Sequence, residues 1–260
     1  MSKRIRLMLA IVAGVVVAAS TAWASNCTSP EGTSGVTVVD LTSPGATGTV
    51  NGAIFTQISP QSTGTGVIDP FVRINPGGSD NCEQGFNTSH RKLEMDENNS
   101  PNYTHDLLLA DVPVVTIGGV DYYQFLLDIN QNNKEATDHF LSLNKIEIYS
   151  SGSAGASGYP GGLGVLQYSL DSGGPAWVWL DYALNHGSGS GDMFMYIPKT
   201  ALSGPYIYFY SSFGEDYNAN DGFEEWCILK APSPSPSPSP SPTPAPSPTP
   251  TPAPSPSPGL

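Results

Sequence analysis

Oxygen-donating side chains are concentrated in one segment, Asp216–Glu225, with the sequence DYNANDGFEE. Its D-x-N-x-N spacing resembles the start of an EF-hand loop, whose calcium takes about six to eight oxygen ligands. The glycine falls one position late and Cys227 occupies position twelve, so we expect the ligand chemistry without the helix–loop–helix fold. The other interpretation is a polar hairpin loop that binds nothing. The candidate ligands are Asp216, Asn218, Asn220, Asp221, Glu224 and Glu225.

Two further segments offer oxygen ligands. Asp128, Asn130 and Asn132 repeat the D-x-N-x-N spacing after the apolar run Tyr122–Leu127, which places them at a strand end. Asp192 follows a run of alternating glycines that frees the backbone to bend. An asparagine-rich turn and a flexible glycine turn are the respective alternatives. Both segments are therefore candidate calcium sites.

The long polar stretch Asn75–Asn102 also carries acidic residues, namely Glu83 and the pair Asp96 and Glu97. Such residues can ligate a cation or face solvent. The sequence favours solvent exposure for all three.

Nucleophilic catalysis has little support in the sequence. The four histidines are scattered, and no serine stands in a G-x-S-x-G elbow. A carboxylate pair for glycoside hydrolysis can always be chosen from 23 acidic residues, so it carries no weight. The sequence favours a protein that is not an enzyme.

Short alternating or β-branched segments recur between glycine, asparagine, aspartate and proline. They predict an all-β fold, a single antiparallel β-sandwich of jelly-roll-like form with long loops. Ile117–Val120 is typical of a hairpin turn, Ser151–Gly162 of a flexible loop, and only Lys134–Leu143 carries a weak helical signal. The predicted strands are Val36–Leu41, Ala53–Ile58, Val67–Ile74, Asp106–Val115, Asp121–Ile129, Leu141–Tyr149, Gly164–Leu170, Ala176–Leu184, Met193–Pro198, Tyr206–Phe213 and Phe223–Leu229.

Aromatic residues alternate in two of these strands. Trp177 and Trp179 share one strand face, and so do Tyr206, Tyr208 and Tyr210. Such faces can stack on sugars, which makes these residues candidate carbohydrate ligands. They can also pack inside a sandwich, and the sequence favours that role.

The two ends of the chain predict export. Residues 1–24 combine a basic start, an apolar run and Ala22-Trp23-Ala24, as in a cleaved signal peptide. Residues 25–230 form the predicted sandwich domain. In residues 231–260 proline occupies nearly every second position, which prevents helix and sheet. This tail is expected to be an extended polyproline II spacer of roughly 80 Å.

The net charge and the cysteines give further expectations for an exported protein. A net charge of −13 argues against nucleic acid and anionic membranes as partners and favours bound cations, above all Ca²⁺. An acidic coat that keeps a secreted protein soluble is the alternative. Of the three cysteines, we expect Cys27 and Cys227 to form a disulfide that ties the domain ends together, with Cys82–Cys227 as the rival pair.

The segments GVDYYQFLLDINQ, LNHGSGSGDMFMYIP and YFYSSFGEDYNANDGFEEW resemble secreted bacterial surface proteins of the exosortase (PEP-CTERM) kind, although no sorting motif follows the prolines. The resemblance implies export and a β-rich extracellular domain. Together with the calcium loops, it suggests a secreted or cell-surface structural or adhesion protein, without membrane insertion after signal cleavage. The expected partners are cell-wall or matrix polysaccharide or a surface protein. The alternative function is a carbohydrate-binding module.

Overall fold

The computed structural model describes residues 35–62, 67–75, 81–186 and 190–230. The predicted signal peptide, Cys27 and the proline-rich tail lie outside the described residues. The chain divides into two units, Met1–Lys230 and Ala231–Leu260, at the predicted boundary between domain and tail.

The described residues of the first unit form fourteen strands in two sheets, which confirms the predicted β-sandwich. The strands are β1 (Thr37–Asp40), β2 (Thr47–Val50), β3 (Ala53–Ser62), β4 (Ile68–Ile74), β5 (Glu83–Phe86), β6 (Leu107–Leu108), β7 (Val114–Ile117), β8 (Val120–Asp128), β9 (Phe140–Ser151), β10 (Val165–Ser169), β11 (Ala176–Asp181), β12 (Ser190–Pro198), β13 (Tyr206–Phe213) and β14 (Glu224–Leu229). Short 3-10 turns occur at Leu109–Asp111, Tyr182–Leu184 and Lys199–Ala201.

Each sheet has seven strands. The first has the order β1-β11-β9-β13-β5, with β10 also paired to β9 and β6 to β13. The second has the order β2-β3-β12-β8-β14-β4, with β7 also paired to β8. Pairing is antiparallel except between β1 and β11, which run parallel. The sandwich is therefore predominantly, but not wholly, antiparallel.

Side-chain alternation explains which face of each strand is buried between the sheets. Along β13, Ile207, Phe209 and Phe213 belong to the main core, whereas Tyr208 and Tyr210 belong to a separate cluster on the outer face. Phe209 packs against Trp226 of β14, with ring centroids 4.5 Å apart, so the two sheets meet through these rings. Packing in the core thus holds β13 and β14, the two strands connected through the acidic segment Asp216–Glu225, in place.

Most predicted strands are present, although several bounds differ; the predicted strand Ala176–Leu184, for example, ends at Asp181 and continues as a 3-10 turn. The segment Asp106–Val115 splits into β6 and the start of β7 around a 3-10 turn, and β2 and β5 had no sequence signal. The hairpin turn is confirmed, because Ile117 pairs with Val120 and both intervening glycines have positive φ. The weak helical signal corresponds only to a turn at residues 136–139. No helix in the described ranges is long and apolar enough to cross a membrane.

The predicted Cys27–Cys227 disulfide is wrong, because Cys227 is a free cysteine. It lies on β14 in a small buried cluster with Ile68 and Leu126. Strand alternation places it on the face opposite Trp226, so it packs outside the main core. Burial raises the pKa of its thiol well above the usual range, since a thiolate is poorly solvated there.

A thiol-alkylating reagent is expected to leave Cys227 unmodified in the native protein and to label it after unfolding. Its side chain is 0 % exposed and its thiol is held protonated, so the reactive thiolate is scarce in the folded state. Mass spectrometry of peptides from native and denatured samples measures this directly. Recovery of Cys227 in a disulfide-linked peptide would contradict the structure.

Candidate functional site

The two predicted D-x-N-x-N segments lie against each other. The Asn220 backbone N–H donates to Gln131 Oε1 at 3.0 Å, and the Asn132 backbone N–H donates to Asn220 Oδ1 at 2.9 Å. Asn220 Nδ2 also donates to the Asp138 carbonyl at 2.7 Å. We call this arrangement the joined loops: residues 128–133 after β8 and residues 214–223 between β13 and β14. Two segments with the same ligand spacing thus share one end of the sandwich.

Strand pairing at the joined loops brings two acidic residues together, since Asp128 of β8 is the register partner of Glu225 of β14. The Glu225 carboxylate is already neutralised, because Arg73 approaches its Oε1 at 2.6 Å. The Arg73 guanidinium also lies 3.5 Å from the ring centroid of Tyr103 and 3.8 Å from that of Phe223. Burial raises the pKa of Glu225, and Arg73 lowers it in part. Glu225 is therefore engaged in a structural ion pair.

Asp192 adds a buried carboxylate to the same region. Its Oδ2 accepts a hydrogen bond from the Ile129 backbone N–H at 2.8 Å, whereas its Oδ1 is buried without a hydrogen-bond partner among the described residues. Burial raises the pKa of Asp192 well above its usual range, and the nearby Asp128 raises it further. The third predicted segment thus contributes its acid to the site, although residues 187–189 lie outside the described part of the chain.

Three other predicted ligands have different surroundings. The Asp216 backbone N–H donates to Ser142 Oγ at 3.0 Å, and Asn218 is exposed. Asp221 is also exposed, and its Oδ1 accepts from the Gly222 backbone N–H. None of the contacts found in the described ranges joins Asp216 or Asn218 to residues 128–133. The regular D-x-N-x-N spacing is therefore not sufficient to bring all the predicted ligands together around one ion.

Glu224, in contrast, points into the sandwich interior. It alternates with Trp226 along β14, and Trp226 belongs to the main core. The Glu224 side chain is 0 % exposed, and neither carboxylate oxygen accepts a well-formed hydrogen bond from the described residues. Burial raises the pKa of Glu224 well above its usual range, and a weak hydrogen bond from the Asn130 backbone lowers it in part.

Glu83, which the sequence placed in solvent, is also buried. It is 0 % exposed on β5, and neither of its carboxylate oxygens has a hydrogen-bond partner among the described groups. The predicted solvent exposure is wrong, because Glu83 lies on a strand of the sandwich that carries no strand signal in the sequence. The only available signal was indirect: strand alternation in CEQGF would place Glu83 and Gly85 on one face.

Asp96 and Glu97 also differ from the expectation of solvent exposure. Asp96 Oδ2 accepts from the Gln84 backbone N–H at 3.0 Å, and the two Glu97 oxygens accept from Phe86 at 3.1 Å and Met95 at 2.8 Å. Glu97 also forms an isolated bridge with Ile74. Burial raises the pKa of Glu97, and the backbone hydrogen bonds lower it in part. These acids connect β5 to β4 across the edge of the sandwich.

The candidate sugar-stacking residues are largely covered. Trp177, Tyr208 and Tyr210 are 4 %, 0 % and 4 % exposed, and Trp179 and Tyr206 are half-buried. Tyr159, from the predicted flexible loop, stacks on Tyr210 with ring centroids 4.0 Å apart. These tyrosine faces are therefore occupied by protein.

Among the described residues, no three Asp, Glu, His or Cys side chains are grouped in a way that could hold a metal ion. Any cation at this end of the sandwich must also draw on amide or backbone oxygens, which calcium accepts readily. Comparison with protein-family models, with curated proteins and with solved structures gives no match.

Proposed function

We propose that this chain is an exported structural or adhesion protein, whose β-sandwich is stabilised by calcium and displayed on the proline-rich segment 231–260. The observation that carries the proposal is the contact between two D-x-N-x-N segments beside buried carboxylates. Its partners at the surface are wall or matrix polysaccharide or another surface protein.

The electrostatics of the joined loops support a bound cation. Arg73 approaches Glu225, but one buried oxygen of Asp192 and both oxygens of Glu224 accept no well-formed hydrogen bond from the described residues. A buried carboxylate without a counter-charge is costly, and a divalent cation offsets that cost. Carboxylate and amide oxygens are hard ligands that suit Ca²⁺, which extracellular modules bind at the concentrations found outside cells.

Export is supported by the cysteines as well as by the predicted signal peptide. Cys82 is disulfide-bonded, and disulfides persist mainly in oxidising compartments. Because Cys227 is free, Cys27 is the partner that we propose. That pairing would tie the start of the mature chain to the residue before Glu83.

We prefer the structural role to polysaccharide recognition through aromatic residues. Sugar stacking needs an open ring face, and Trp177, Tyr208 and Tyr210 are buried. Tyr208 and Tyr210 contribute instead to packing on the outer face of the first sheet, where Tyr159 and Phe86 join Tyr210.

Calcium is expected to raise the melting temperature of the purified protein above its value in EDTA. Mass action on the folded state at a calcium concentration of 100 Kd predicts a rise of about 5–10 °C for a domain of this size. Differential scanning calorimetry measures the shift, and isothermal titration calorimetry measures the binding. Magnesium at the same concentration is the control, and a smaller effect is expected because Mg²⁺ demands octahedral geometry and retains its water. An unchanged melting temperature together with no binding heat would exclude the calcium role.

A further inference from the structure

Two glutamates enter the layer between the sheets from opposite sides. Glu224 lies on β14 of the second sheet, two residues before Trp226, whose Nε1 donates to Ser211 Oγ of the first sheet at 3.1 Å. Glu83 lies on β5 of the first sheet and is the register partner of Phe213, a residue of the main core. Register partners point to the same face, so Glu83 also points inward.

Both glutamates lie at the same end of the sandwich. The loop 214–223 begins immediately after Phe213, the partner of Glu83, and ends immediately before Glu224. Within this loop, the Ala219 backbone N–H donates to the Asn81 carbonyl at 2.9 Å, close to Glu83. Packed sheets lie about 10 Å apart, a gap that two glutamate side chains can span from opposite sides.

Asn75 supplies another oxygen at this end. It follows Ile74, the register partner of Glu224, and its Nδ2 donates to the Gly222 carbonyl at 2.9 Å. This bond fixes the amide and leaves Asn75 Oδ1 buried without a hydrogen-bond partner among the described groups. Asn75 therefore presents a fixed oxygen donor beside the loop that joins the two glutamates.

The two carboxylates and this amide thus carry five buried oxygens that accept no well-formed hydrogen bond from the described residues, although a weak one from the Asn130 backbone lowers the pKa of Glu224 in part. More than about 90 % of buried polar groups in native proteins have a partner, so this concentration of unsatisfied acceptors needs an explanation. All five atoms are hard acceptors, and both carboxylates are anionic when ionised. Calcium takes about six to eight such oxygens, and carboxylates bind it through one oxygen or two.

We propose that Glu83, Glu224 and Asn75 bind one Ca²⁺ ion in the interior of the sandwich, where the ion links the two sheets. This inference rests on the proposed calcium role and names the ligands of the ion. Backbone carbonyls of the loop 214–223 or water complete its coordination. The exposed residues Asn218 and Asp221 are not ligands of this ion.

The test compares the full mature chain with the variants Glu83→Gln, Glu224→Gln and Asp216→Asn. Glutamine keeps the size of the side chain but removes its charge and one ligating oxygen. Isothermal titration calorimetry gives the calcium affinity, and melting temperatures in EDTA and in calcium give the stabilisation. We expect both glutamate variants to lose calcium affinity by about tenfold or more and to lose the calcium-dependent rise, whereas Asp216→Asn keeps both.

Melting in EDTA separates loss of binding from loss of folding. Without calcium, Glu83→Gln and Glu224→Gln are expected to melt at or above the wild-type temperature, because a neutral amide replaces a buried acid. Should either variant fail to fold, Asn75→Ala tests the same ion through a neutral ligand, and its calcium affinity must fall. Retention of wild-type affinity in Glu83→Gln would overturn the interior site while leaving the calcium role intact. Absence of calcium binding to the wild type would overturn both proposals.

Discussion

Replacing Gly222 with alanine is expected to destabilise the folded protein by about 2–5 kcal/mol and to weaken its response to calcium. Gly222 has φ +66°, a conformation that costs an L-residue about 1–2 kcal/mol. A Cβ atom there would lie 2.2 Å from Asn130 Nδ2 and 2.5 Å from Asn130 Cγ. The added methyl group would therefore push the joined loops apart. Chemical denaturation in EDTA and in calcium measures both effects.

Gly118 provides the matched control. It has φ +60° in the hairpin turn between β7 and β8, and a Cβ atom there meets nothing within 4 Å. Gly118→Ala therefore carries the same backbone cost without the steric clash, and it should lose only about 1–2 kcal/mol and keep the calcium response. The double variant Gly222→Ala with Asn130→Ala should recover part of the loss. Equal effects at Gly118 and Gly222 would show that the contact between the loops does not matter.

The contact between Gly222 and Asn130 illustrates which features of the joined loops the sequence could predict and which it could not. The D-x-N-x-N spacing identified both segments, and the apolar run before Asp128 placed one of them at a strand end, where it lies. Their contact through Asn220 and Gln131 joins positions 89 residues apart in the chain, and no local pattern encodes it. The spacing also suggested one ligand shell that included Asp216 and Asn218. Whether these side chains form one ligand shell depends on the backbone conformation of each residue, and the spacing alone does not determine that conformation.

The strands were predictable where they carry large apolar or β-branched residues. β13 was predicted with its full range, Tyr206–Phe213, because aromatic and aliphatic residues alternate throughout it. β5 was missed because Glu83–Phe86 contains a glutamate, a glutamine and a glycine. Its extended form depends on pairing with β13 and on the side-chain hydrogen bonds of Asp96 and Glu97. Both interactions are long-range, so the inward orientation of Glu83 could be found only in three dimensions.

Replacing Asn87 with alanine is expected to destabilise the fold by about 2–5 kcal/mol, because it leaves buried backbone groups without partners. Asn87 is fully buried immediately after β5. Its side chain makes hydrogen bonds to the β13 backbone in the place of a neighbouring strand. Its Oδ1 accepts from the Phe209 backbone N–H at 2.5 Å, and its Nδ2 donates to the Ile207 carbonyl at 2.9 Å. β5 and β6 pair with β13 on either side of this point, so Asn87 fills the gap between them.

Asn98 offers a control for the loss of an asparagine side chain. It is half-buried, and its Oδ1 accepts one local hydrogen bond, from the Ser100 backbone N–H at 2.9 Å. Solvent can satisfy that donor, so Asn98→Ala should cost no more than about 1 kcal/mol. A similar cost at Asn87 would mean that water or a local rearrangement satisfies Phe209 and Ile207, and that the side chain is not a structural link.

Asn87→Asp tests the same link through its dependence on pH. The ionised carboxylate keeps the acceptor for Phe209 but has no donor for Ile207, and it is buried without a counter-charge. Protonation restores an O–H donor, so the folded state should bind this proton more tightly than the unfolded state. The stability of the variant relative to wild type should therefore be highest at low pH and fall as pH rises through its raised pKa. Urea denaturation of both proteins between pH 4 and pH 8 measures the difference, and a constant difference would refute the buried hydrogen-bond role of Asn87.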